Sequence, residues 1–345
     1  MKAALLEAFG KIEIREVKKP RVKSDNVLVQ IKACGVCATD VKKYTGASKP
    51  PRFPFVLGHE AAGVVVEKGS GVGEEIKLNE RVVIAPVITC GSCYNCKSGL
   101  TSAQGMGMCT NYRVIGHSID GAFAEYVAVP TKNIYRIPDS LSFEHATLVE
   151  PVAACANGVL RAISMPPSTV VVIGAGFMGL VTVQLLKLLG CRVIVSELVK
   201  ERLMLASRLG ADALIKPDEE DVVHRVKELT IDGRGADAVI CTVGNRAVIE
   251  QALDMLARGG RLVLLASGPY GTKFEVDLNR LHYDQSMITG SVSYTDQTFT
   301  WAIRLLSRGQ IDAEALITHI GSLTDVQKFL ELTRDLKGVK KLIVF

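Results

Sequence analysis

Thr169–Gly179 reads TVVVIGAGFMG, an apolar run followed by three glycines, and an apolar helical pattern continues to Leu189. This order of strand, tight turn and helix is typical of dinucleotide-binding sites. The first glycine permits the turn, the second lets the backbone approach a pyrophosphate, and the third lets the helix pack on the strand. Exposed N–H groups at the positive end of the helix would then meet the phosphates. The cofactor residues expected here are Gly174, Gly176, Phe177, Met178 and Gly179.

A carboxylate follows the next predicted strand. Glu197 comes directly after Arg192–Ser196, at about the 20-residue spacing that the pattern requires. It is placed to accept hydrogen bonds from both hydroxyls of an adenosine ribose, and its charge would repel a 2′-phosphate, so NAD is favoured over NADP. Arg202 is a further candidate, because an arginine can bind a phosphate or stack on adenine. The alternative is a glycine-rich turn that binds no cofactor.

Strand and helix patterns alternate beyond Pro151, which predicts an α/β domain with a doubly wound parallel sheet, ending in a strand over Met287–Val292. Before Pro151 the apolar runs are short and are separated by glycines and prolines, which predicts an irregular, mostly antiparallel β domain. The runs are Val27–Ile31, Ala61–Glu67, Arg81–Ala85 and Phe123–Val129. The tail does not obviously continue the parallel sheet. Its predicted elements are helices at Thr298–Arg308 and Thr324–Arg334 and strands at Ile317–Ile320 and Lys341–Phe345.

Composition restricts the class of protein. A chain of 345 residues favours two domains. Its 48% hydrophobic and 22% charged residues are an ordinary globular balance. The net charge of +5 is spread along the chain, which argues against a nucleic-acid binder but permits a mild preference for an anionic ligand. No apolar run is long enough for a bilayer, and the start resembles a strand more than a signal peptide, so we expect a soluble, cytoplasmic protein without membrane partners.

Two groups of side chains have the character of metal sites. Cys90, Cys93, Cys96 and Cys109 form a four-thiolate pattern that suits a closed structural zinc site, the alternative being free thiols. A thiolate, an imidazole and a carboxylate would form a second, catalytic zinc set with one open position for substrate. Its candidates are Cys37, His59, Glu60 and Glu150. Taken singly, His59 could be a core histidine, Glu150 a solvated charge, and Cys34 with Cys37 a redox pair.

These motifs together resemble the medium-chain, zinc-containing alcohol dehydrogenase family over essentially the whole chain. The matching stretches are Gly35-x-Cys37-x-Thr39-Asp40, Gly58-His59-Glu60, the four-cysteine lobe, Glu150-Pro151 and the glycine turn. The segment from Glu150 to Gly158 is most similar to the polyol (sorbitol) and L-threonine dehydrogenase branch. Simple alcohol dehydrogenases typically have a cysteine ligand where this chain has Glu150.

The resemblance implies a GroES-like catalytic domain at residues 1–150 and 290–345 and a Rossmann NAD-binding domain at 151–289. It implies catalytic zinc on Cys37, His59 and a carboxylate, either Glu60 or Glu150. Thr39 would take the proton from the substrate hydroxyl while hydride passes to NAD. Family members are commonly dimers or tetramers joined through the last strands of the cofactor domain. We therefore expect a homo-oligomer, with a tetramer as the working assumption.

Two departures from the family pattern concern the site. The family commonly has a proton-relay histidine five residues beyond the ligand cysteine, where this chain has Lys42. Either the relay differs, or Lys42 binds ribose or an anionic substrate. The gap from Cys96 to Cys109 exceeds the usual seven-residue spacer, and the extra loop Leu100–Met108 is expected to leave the zinc site intact.

The substrate expected from the polyol-like branch is a sugar alcohol, an inositol derivative or a keto-sugar acid, with L-threonine as the alternative. Tyr294 is a tentative substrate contact, although Ser293 stands where sorbitol-type enzymes often have arginine. Near the predicted zinc ligands, four cations modestly favour an anionic substrate, the alternative being a solvated basic loop. They are Lys42, Lys43, Lys49 and Arg52. A non-catalytic NAD- and zinc-binding protein on the same scaffold is the alternative from another class.

Overall fold

A computed structural model describes residues 1–163 and 168–345. The chain divides into two units, Met1–Ala153 with Tyr294–Phe345, and Ala154–Ser293. Among the helices that the structure describes, none combines the length and the hydrophobicity that a bilayer crossing requires.

The first unit is built on β-strands that are short and mostly antiparallel. Its strands are β1 (Lys2–Ala8), β2 (Lys11–Glu16), β3 (Asn26–Val36), β4 (Phe55–Val56), β5 (Glu60–Lys68), β6 (Arg81–Ile84), β7 (Val87–Ile88), β8 (Arg113–Val114), β9 (Tyr126–Pro130) and β10 (Ile134–Arg136). The helices in or beginning in this part are α1 (Ala38–Tyr44), α2 (Tyr94–Lys97), α3 (Leu100–Gln104), α4 (Phe143–Ala146) and α5 (Val149–Ala162).

The second unit alternates strands and helices. Its strands are β11 (Thr169–Ile173), β12 (Arg192–Ser196), β13 (Ala213–Ile215), β14 (Ala236–Cys241), β15 (Leu256–Leu264) and β16 (Met287–Gly290). Its helices are α6 (Phe177–Leu188), α7 (Lys200–Arg208), α8 (Val222–Glu228), α9 (Arg246–Asp254) and α10 (Leu278–Tyr283). All strand pairs in this sheet are parallel, in the order β13-β12-β11-β14-β15-β16. This order confirms the predicted doubly wound α/β class, with the helices completing the apolar core.

The tail contributes α11 (Asp296–Ser307), α12 (Ala313–Leu316), β17 (Ile317–Gly321), α13 (Val326–Arg334) and β18 (Lys340–Val344). β18 pairs antiparallel with β3, and β17 pairs parallel with β18. The resulting sheet has the order β10-β6-β5-β3-β18-β17, with β9 also on β3. A strand from the end of the chain therefore lies beside β3, at whose end Cys37 begins α1.

The prediction and the structure differ around Gly259 and Gly260. The residue pattern predicts a helix over Ala247–Leu256 and a strand over Arg261–Ala266, whereas β15 already begins at Leu256. Ala236 pairs with Leu256 and Ala238 with Arg261, so the two glycines lie in a bulge within one strand. Glycines within a strand can mark such a bulge as readily as a turn.

Candidate metal centres and cofactor site

In the first unit, the pairing of β3 with β5 brings together three candidate zinc ligands. Gly35 pairs with Glu60 in this ladder, so Cys37, two residues beyond Gly35, lies near His59 and Glu60. One ligand atom from each of Cys37, His59 and Glu60 lies within 4.8 Å of the others. His59 and Glu60 are buried, while Cys37 is partly buried. A thiol, an imidazole and a carboxylate in this arrangement fit a catalytic zinc ion.

Asp40 organises this cluster from the first turn of α1. Its carboxylate accepts hydrogen bonds from the backbone N–H of Cys37 at 3.0 Å and of Gly58 at 3.1 Å. Oδ1 also lies 3.4 Å from Nδ1 of His59, although this buried nitrogen has no well-aligned hydrogen bond among the described residues. Burial lowers the pKa of His59, but the Asp40 carboxylate and the neighbouring Cys37 outweigh it and raise the pKa well above its usual value. Asp40 thus holds both ligand segments together and places a negative charge beside the imidazole.

Glu60 has a buried cationic partner. Nζ of Lys340, on β18, lies 2.8 Å from Oε1 and 2.7 Å from Oε2 of Glu60. Burial lowers the pKa of Lys340, and the charges of Glu60, Cys37 and Glu150 more than compensate, so the pKa is raised. The ammonium therefore stays charged and neutralises the Glu60 carboxylate. A carboxylate held in this way is a weaker donor to a metal than an unpaired one.

Glu150 lies on the first turn of α5 and is outside the group of mutually close ligand atoms. Burial is the main cause that raises the pKa of Glu150 to about 7; the His59 and Lys340 charges oppose this shift, and the Glu60 carboxylate supports it. These electrostatic couplings place Glu150 in the neighbourhood of the cluster. Whether Glu60 or Glu150 binds zinc directly stays a prediction.

The remaining candidates of the first unit have different surroundings. Oγ1 of Thr39 lies 3.7 Å from Sγ of Cys37, so the proposed proton acceptor is beside a proposed ligand. Lys42 is exposed on α1. Tyr294 is 1% exposed, and its hydroxyl oxygen accepts a hydrogen bond from the N–H of Val87 at 3.0 Å. This geometry gives Tyr294 a packing role, and its contact with substrate stays a prediction.

The redox interpretation of Cys34 and Cys37 is disfavoured by their environments. Both thiols are free, and Cys34 is fully buried with a pKa that burial raises well above its usual value. A reactive pair would need an accessible thiolate.

The four cysteines of the lobe converge on one point. Their sulfur atoms lie within 4.8 Å of one another, and Sγ of Cys109 lies 3.5 Å from that of Cys90 and 3.9 Å from that of Cys93. Tetrahedral zinc with Zn–S bonds of about 2.3 Å requires sulfur separations of roughly 3.8 Å. Hydrogen bonds led by the Ser92 N–H lower the pKa of Cys90 to about 5, and those led by the Thr110 N–H lower the pKa of Cys93 to about 7. The residues present therefore fit a structural zinc ion.

The extra residues between Cys96 and Cys109 fold locally. They form α3 and a 3₁₀ turn at Met106–Met108, and Nδ2 of Asn95 donates to the carbonyl of Met108 at 2.6 Å. The longer spacer thus leaves the four sulfur atoms together.

In the second unit, the glycine turn has the geometry that dinucleotide binding requires. Gly174 has φ +89°, which favours glycine. A Cβ on Gly179 would lie 1.8 Å from the carbonyl oxygen of Gly174, so only glycine allows this close packing. Gly176 caps α6, whose first two residues are Phe177 and Met178, and the N-terminal N–H groups of α6 begin there.

Glu197 follows β12 and supports the same turn. Its Oε2 accepts a hydrogen bond from the N–H of Ala175 at 2.7 Å, and Oε1 accepts one from Val199 at 2.9 Å. Each carboxylate oxygen has a second lone pair for a ribose hydroxyl. Arg202 is partly buried on α7. The cofactor contacts of both residues stay predictions.

Sequence reasoning missed three polar residues near the candidate catalytic cluster. Asp40 lies inside a quoted motif without an assigned role. Lys340 is separated from Glu60 by 280 positions, and only the pairing of β18 with β3 brings them together. His117 lies in a turn that no motif marks, close enough for Lys43 and His59 to influence its pKa.

Comparisons with known proteins agree with this geometry. Residues 23–139 match the alcohol dehydrogenase GroES-like domain, and residues 178–308 match the zinc-binding dehydrogenase family. A sorbitol dehydrogenase from Bacillus subtilis (strain 168) is 32% identical over 343 residues, 98% of this chain and 95% of that protein. An L-threonine 3-dehydrogenase from Pyrococcus furiosus is 36% identical over 313 residues, 89% of this chain and 87% of that protein.

A solved structure described as a zinc-binding dehydrogenase from Sinorhizobium meliloti 1021, bound to NADP, has a TM-score of 0.92 and 34% identity. The match covers 100% of this chain and 99% of that chain. Sequence relatives and structural similarity over the full length confirm the resemblance and the predicted fold class. The chain is an oxidoreductase and belongs to the zinc-type, medium-chain alcohol dehydrogenase family.

Proposed function

We propose that this chain transfers hydride between NAD and a secondary hydroxyl of a small polar substrate, such as a polyol, an inositol derivative or a sugar acid. The observation that carries the proposal is the cluster of Cys37, His59 and Glu60, with Thr39 beside Cys37. The same chain has a glycine turn suited to a dinucleotide. A protein that only bound zinc and NAD would have no need for Thr39 next to an open ligand set.

The residues divide the chemistry as follows. Zinc, when bound, lowers the pKa of a coordinated hydroxyl, and NAD accepts hydride. Cys37 and His59, with Glu60 or Glu150, would hold the metal, and Asp40 supplies a negative charge beside His59. Thr39 would accept the substrate proton through Oγ1 and pass it toward solvent, with Lys42 at the position where relatives commonly have a relay histidine.

NAD is the proposed cofactor because the negative charge of Glu197 would repel the 2′-phosphate of NADP. Gly174, Gly176 and Gly179 would shape the pyrophosphate site, with Phe177, Met178 and Arg202 beside it. The related structure that contains NADP makes a direct comparison of the two cofactors necessary, since Arg202 could favour a phosphate.

L-threonine is the second candidate substrate, supported by the 36% identity to a threonine dehydrogenase. Like a sugar acid, L-threonine has a hydroxyl close to a carboxylate. The choice between these substrates and neutral polyols therefore depends on whether the site recognises a negative charge.

We also propose a homo-oligomer, either a dimer or a tetramer. β16 is an edge strand of the parallel sheet, with Met287 44% exposed and Val292, just beyond it, 68% exposed. An edge with apolar side chains is suited to association with a second copy. We place the protein in the cytoplasm, where its nine cysteines would remain reduced. Light scattering of the purified chain tests the oligomer.

The first experiment follows NAD and NADP reduction with sorbitol, myo-inositol, D-gluconate, L-threonine and 2-butanol. A chelator-treated sample shows whether turnover depends on zinc. We expect Cys37→Ser and His59→Ala to lose turnover while NAD binding survives, because the dinucleotide turn belongs to the other unit. Cys34→Ala is the matched control and should remain active. Undiminished turnover after complete metal removal would contradict the proposed mechanism. Loss of activity in Cys34→Ala would support the interpretation of Cys34 and Cys37 as a redox pair.

A further inference from the structure

Lys43 is a buried lysine with spare hydrogen-bonding capacity. It lies on α1, is 2% exposed, and donates from Nζ to the carbonyl of Lys49 at 3.0 Å. That carbonyl is the only hydrogen-bond acceptor of the ammonium within residues 1–163 and 168–345. A protonated lysine has three N–H donors, and a buried charge is costly when its donors lack partners. Burial lowers the pKa of Lys43, and the nearby Asp40 carboxylate opposes this shift, but the oxygens of Asp40 already accept N–H groups of Cys37 and Gly58.

His117 lies in a turn that packs against the ligand-bearing segment. The turn is closed by hydrogen bonds from the N–H of His117 to the carbonyl of Val114 and from Gly116 to Ile119. A Cβ on Gly116 would lie 2.2 Å from the carbonyl oxygen of Gly58, so the turn approaches Gly58, the residue before His59, very closely. The glycine at position 116 therefore permits His117 to lie beside the candidate zinc cluster.

The imidazole of His117 is half-buried and is not engaged elsewhere. Across the described part of the chain, neither of its ring nitrogens has a hydrogen-bond partner. Burial, followed by the charges of Lys43 and His59, lowers the pKa of His117 to about 4. The ring is thus neutral near pH 7, with one nitrogen as donor and one as acceptor.

The structure distinguishes Lys43 from the other cations near the zinc ligands. Arg52 pairs with Asp120 at 2.7 Å. Lys42 and Lys49 are exposed, so water can solvate their side chains. Lys43 alone of these four is buried, and its charge is close enough to Asp40 and His117 to couple electrostatically with both. A buried ammonium near a candidate reaction site, with fewer acceptors than N–H donors, indicates that a ligand group supplies the other acceptors.

We propose that Lys43 and His117 recognise a negatively charged group of the substrate, a carboxylate or a phosphate monoester, close to the hydroxyl that reacts. The inference rests on the proposed function and narrows it to anionic hydroxyl compounds. Lys43 supplies charge-assisted hydrogen bonds, and His117 donates a further one from its neutral ring. Both residues set specificity, and neither takes part in proton or hydride transfer.

The test compares substrates that differ in the charged group. Sorbitol, D-gluconate and sorbitol 6-phosphate share a polyhydroxylated six-carbon chain and differ in its terminal group. For the wild-type, zinc-loaded enzyme we expect the higher kcat/KM with at least one of the two anions, and the better anion identifies carboxylate or phosphate as the natural group. Lys43→Met should raise the KM for that anion by about 10- to 100-fold, with a small change in kcat and in the kinetics of sorbitol. Lys43→Arg should restore part of the loss.

Lys49→Met is the matched control, since it removes a lysine charge six positions away and keeps the carbonyl that Lys43 uses. It should leave all three substrates unaffected. His117→Gln should raise the KM for the anion by a smaller factor. Equal effects of Lys43→Met on sorbitol and on the anions, or a wild-type preference for sorbitol over both, would overturn the proposal.

Calorimetric titration separates this proposal from the assigned reaction. D-gluconate and sorbitol 6-phosphate are titrated into the zinc-loaded wild type, Lys43→Met and His117→Gln. If no substrate turns over but anion binding still depends on Lys43, the proposed function fails and the recognition site stands. If sorbitol turns over and neither anion binds, the reaction stands and the recognition site fails. Should Lys43→Met not fold, wild-type anion preference together with His117→Gln decides the question.

Discussion

The ammonium of Lys340 lies 2.7 and 2.8 Å from the two carboxylate oxygens of Glu60, and both side chains are shielded from solvent. Such a pair contributes little net stability when it is compared with two apolar side chains, but removal of one partner leaves an uncompensated buried charge. The pair therefore constrains the position of Glu60 beside the candidate zinc ligands more than it strengthens the fold.

Lys340→Met is expected to reduce the free energy of unfolding by about 3–5 kcal/mol, because Glu60 keeps a buried charge without its partner. Glu60→Gln should cause a loss of similar size, since the buried ammonium of Lys340 then lacks its counter-charge. The double variant should lose less than the sum of the two single losses. Urea unfolding of the four proteins measures this coupling. Strictly additive losses would show that the two side chains do not interact in solution.

Cys109→Ala is expected to lower the zinc content from two ions per chain to one, because the lobe would lose a ligand while the Cys37 cluster is unchanged. The melting temperature should fall by several degrees, since a structural zinc ion contributes folding energy. Elemental analysis and thermal melting are the measurements. Cys191→Ala is the control, a buried thiol outside either cluster, and it should retain both ions. Equal zinc contents in the two variants would argue against the lobe as a metal site.

Glu197→Gln is expected to lower the preference for NAD over NADP by about tenfold or more, because the charged acceptor for ribose is lost and repulsion of a 2′-phosphate is removed. The amide also turns a donor toward the N–H of Ala175 or Val199, which should loosen the glycine turn. The ratio of kcat/KM for the two cofactors is the readout. Glu201→Gln, an exposed acid on the next helix, should leave this ratio unchanged. An equal change of this ratio in both variants would show that Glu197 has no specific role in the choice between NAD and NADP.

Tyr44 is expected to make stability depend on alkaline pH. Burial and the hydrogen bond to Glu331 raise the pKa of Tyr44 to about 12, from 10.0 in the absence of these effects. A raised folded pKa means that the contribution is complete below about pH 10 and is lost as the pH rises toward 12. Between pH 9 and pH 11 this group should cost about 1 kcal/mol of unfolding free energy. Tyr44→Phe should show a smaller decrease over that interval, whereas Tyr112→Phe, at an exposed site, should behave as the parent protein does.

The sequence predicts the parallel sheet well because its central strands, such as Val170–Ile173, are buried on both faces and are continuous apolar runs. The glycine turn and the ligand motifs are local patterns, so their chemistry can also be inferred before a structure is known. Contacts that depend on the order of strands in a sheet could not be predicted from the sequence. No local pattern marks Lys340, whose contact with Glu60 depends on the pairing of β18 with β3. Lys43 differs from Lys42 only in the face of α1 on which it lies.

The late position of Lys340 has a consequence for biosynthesis. During translation Glu60 leaves the ribosome long before its partner, which follows 280 residues later. N-terminal segments generally begin to fold during synthesis, but β3 and β5 at that stage would enclose a carboxylate whose counter-ion has not yet been made. The candidate metal ligands would consequently reach their final environment only when β18 pairs with β3. We therefore expect zinc to bind at this cluster only after β18 has been synthesised.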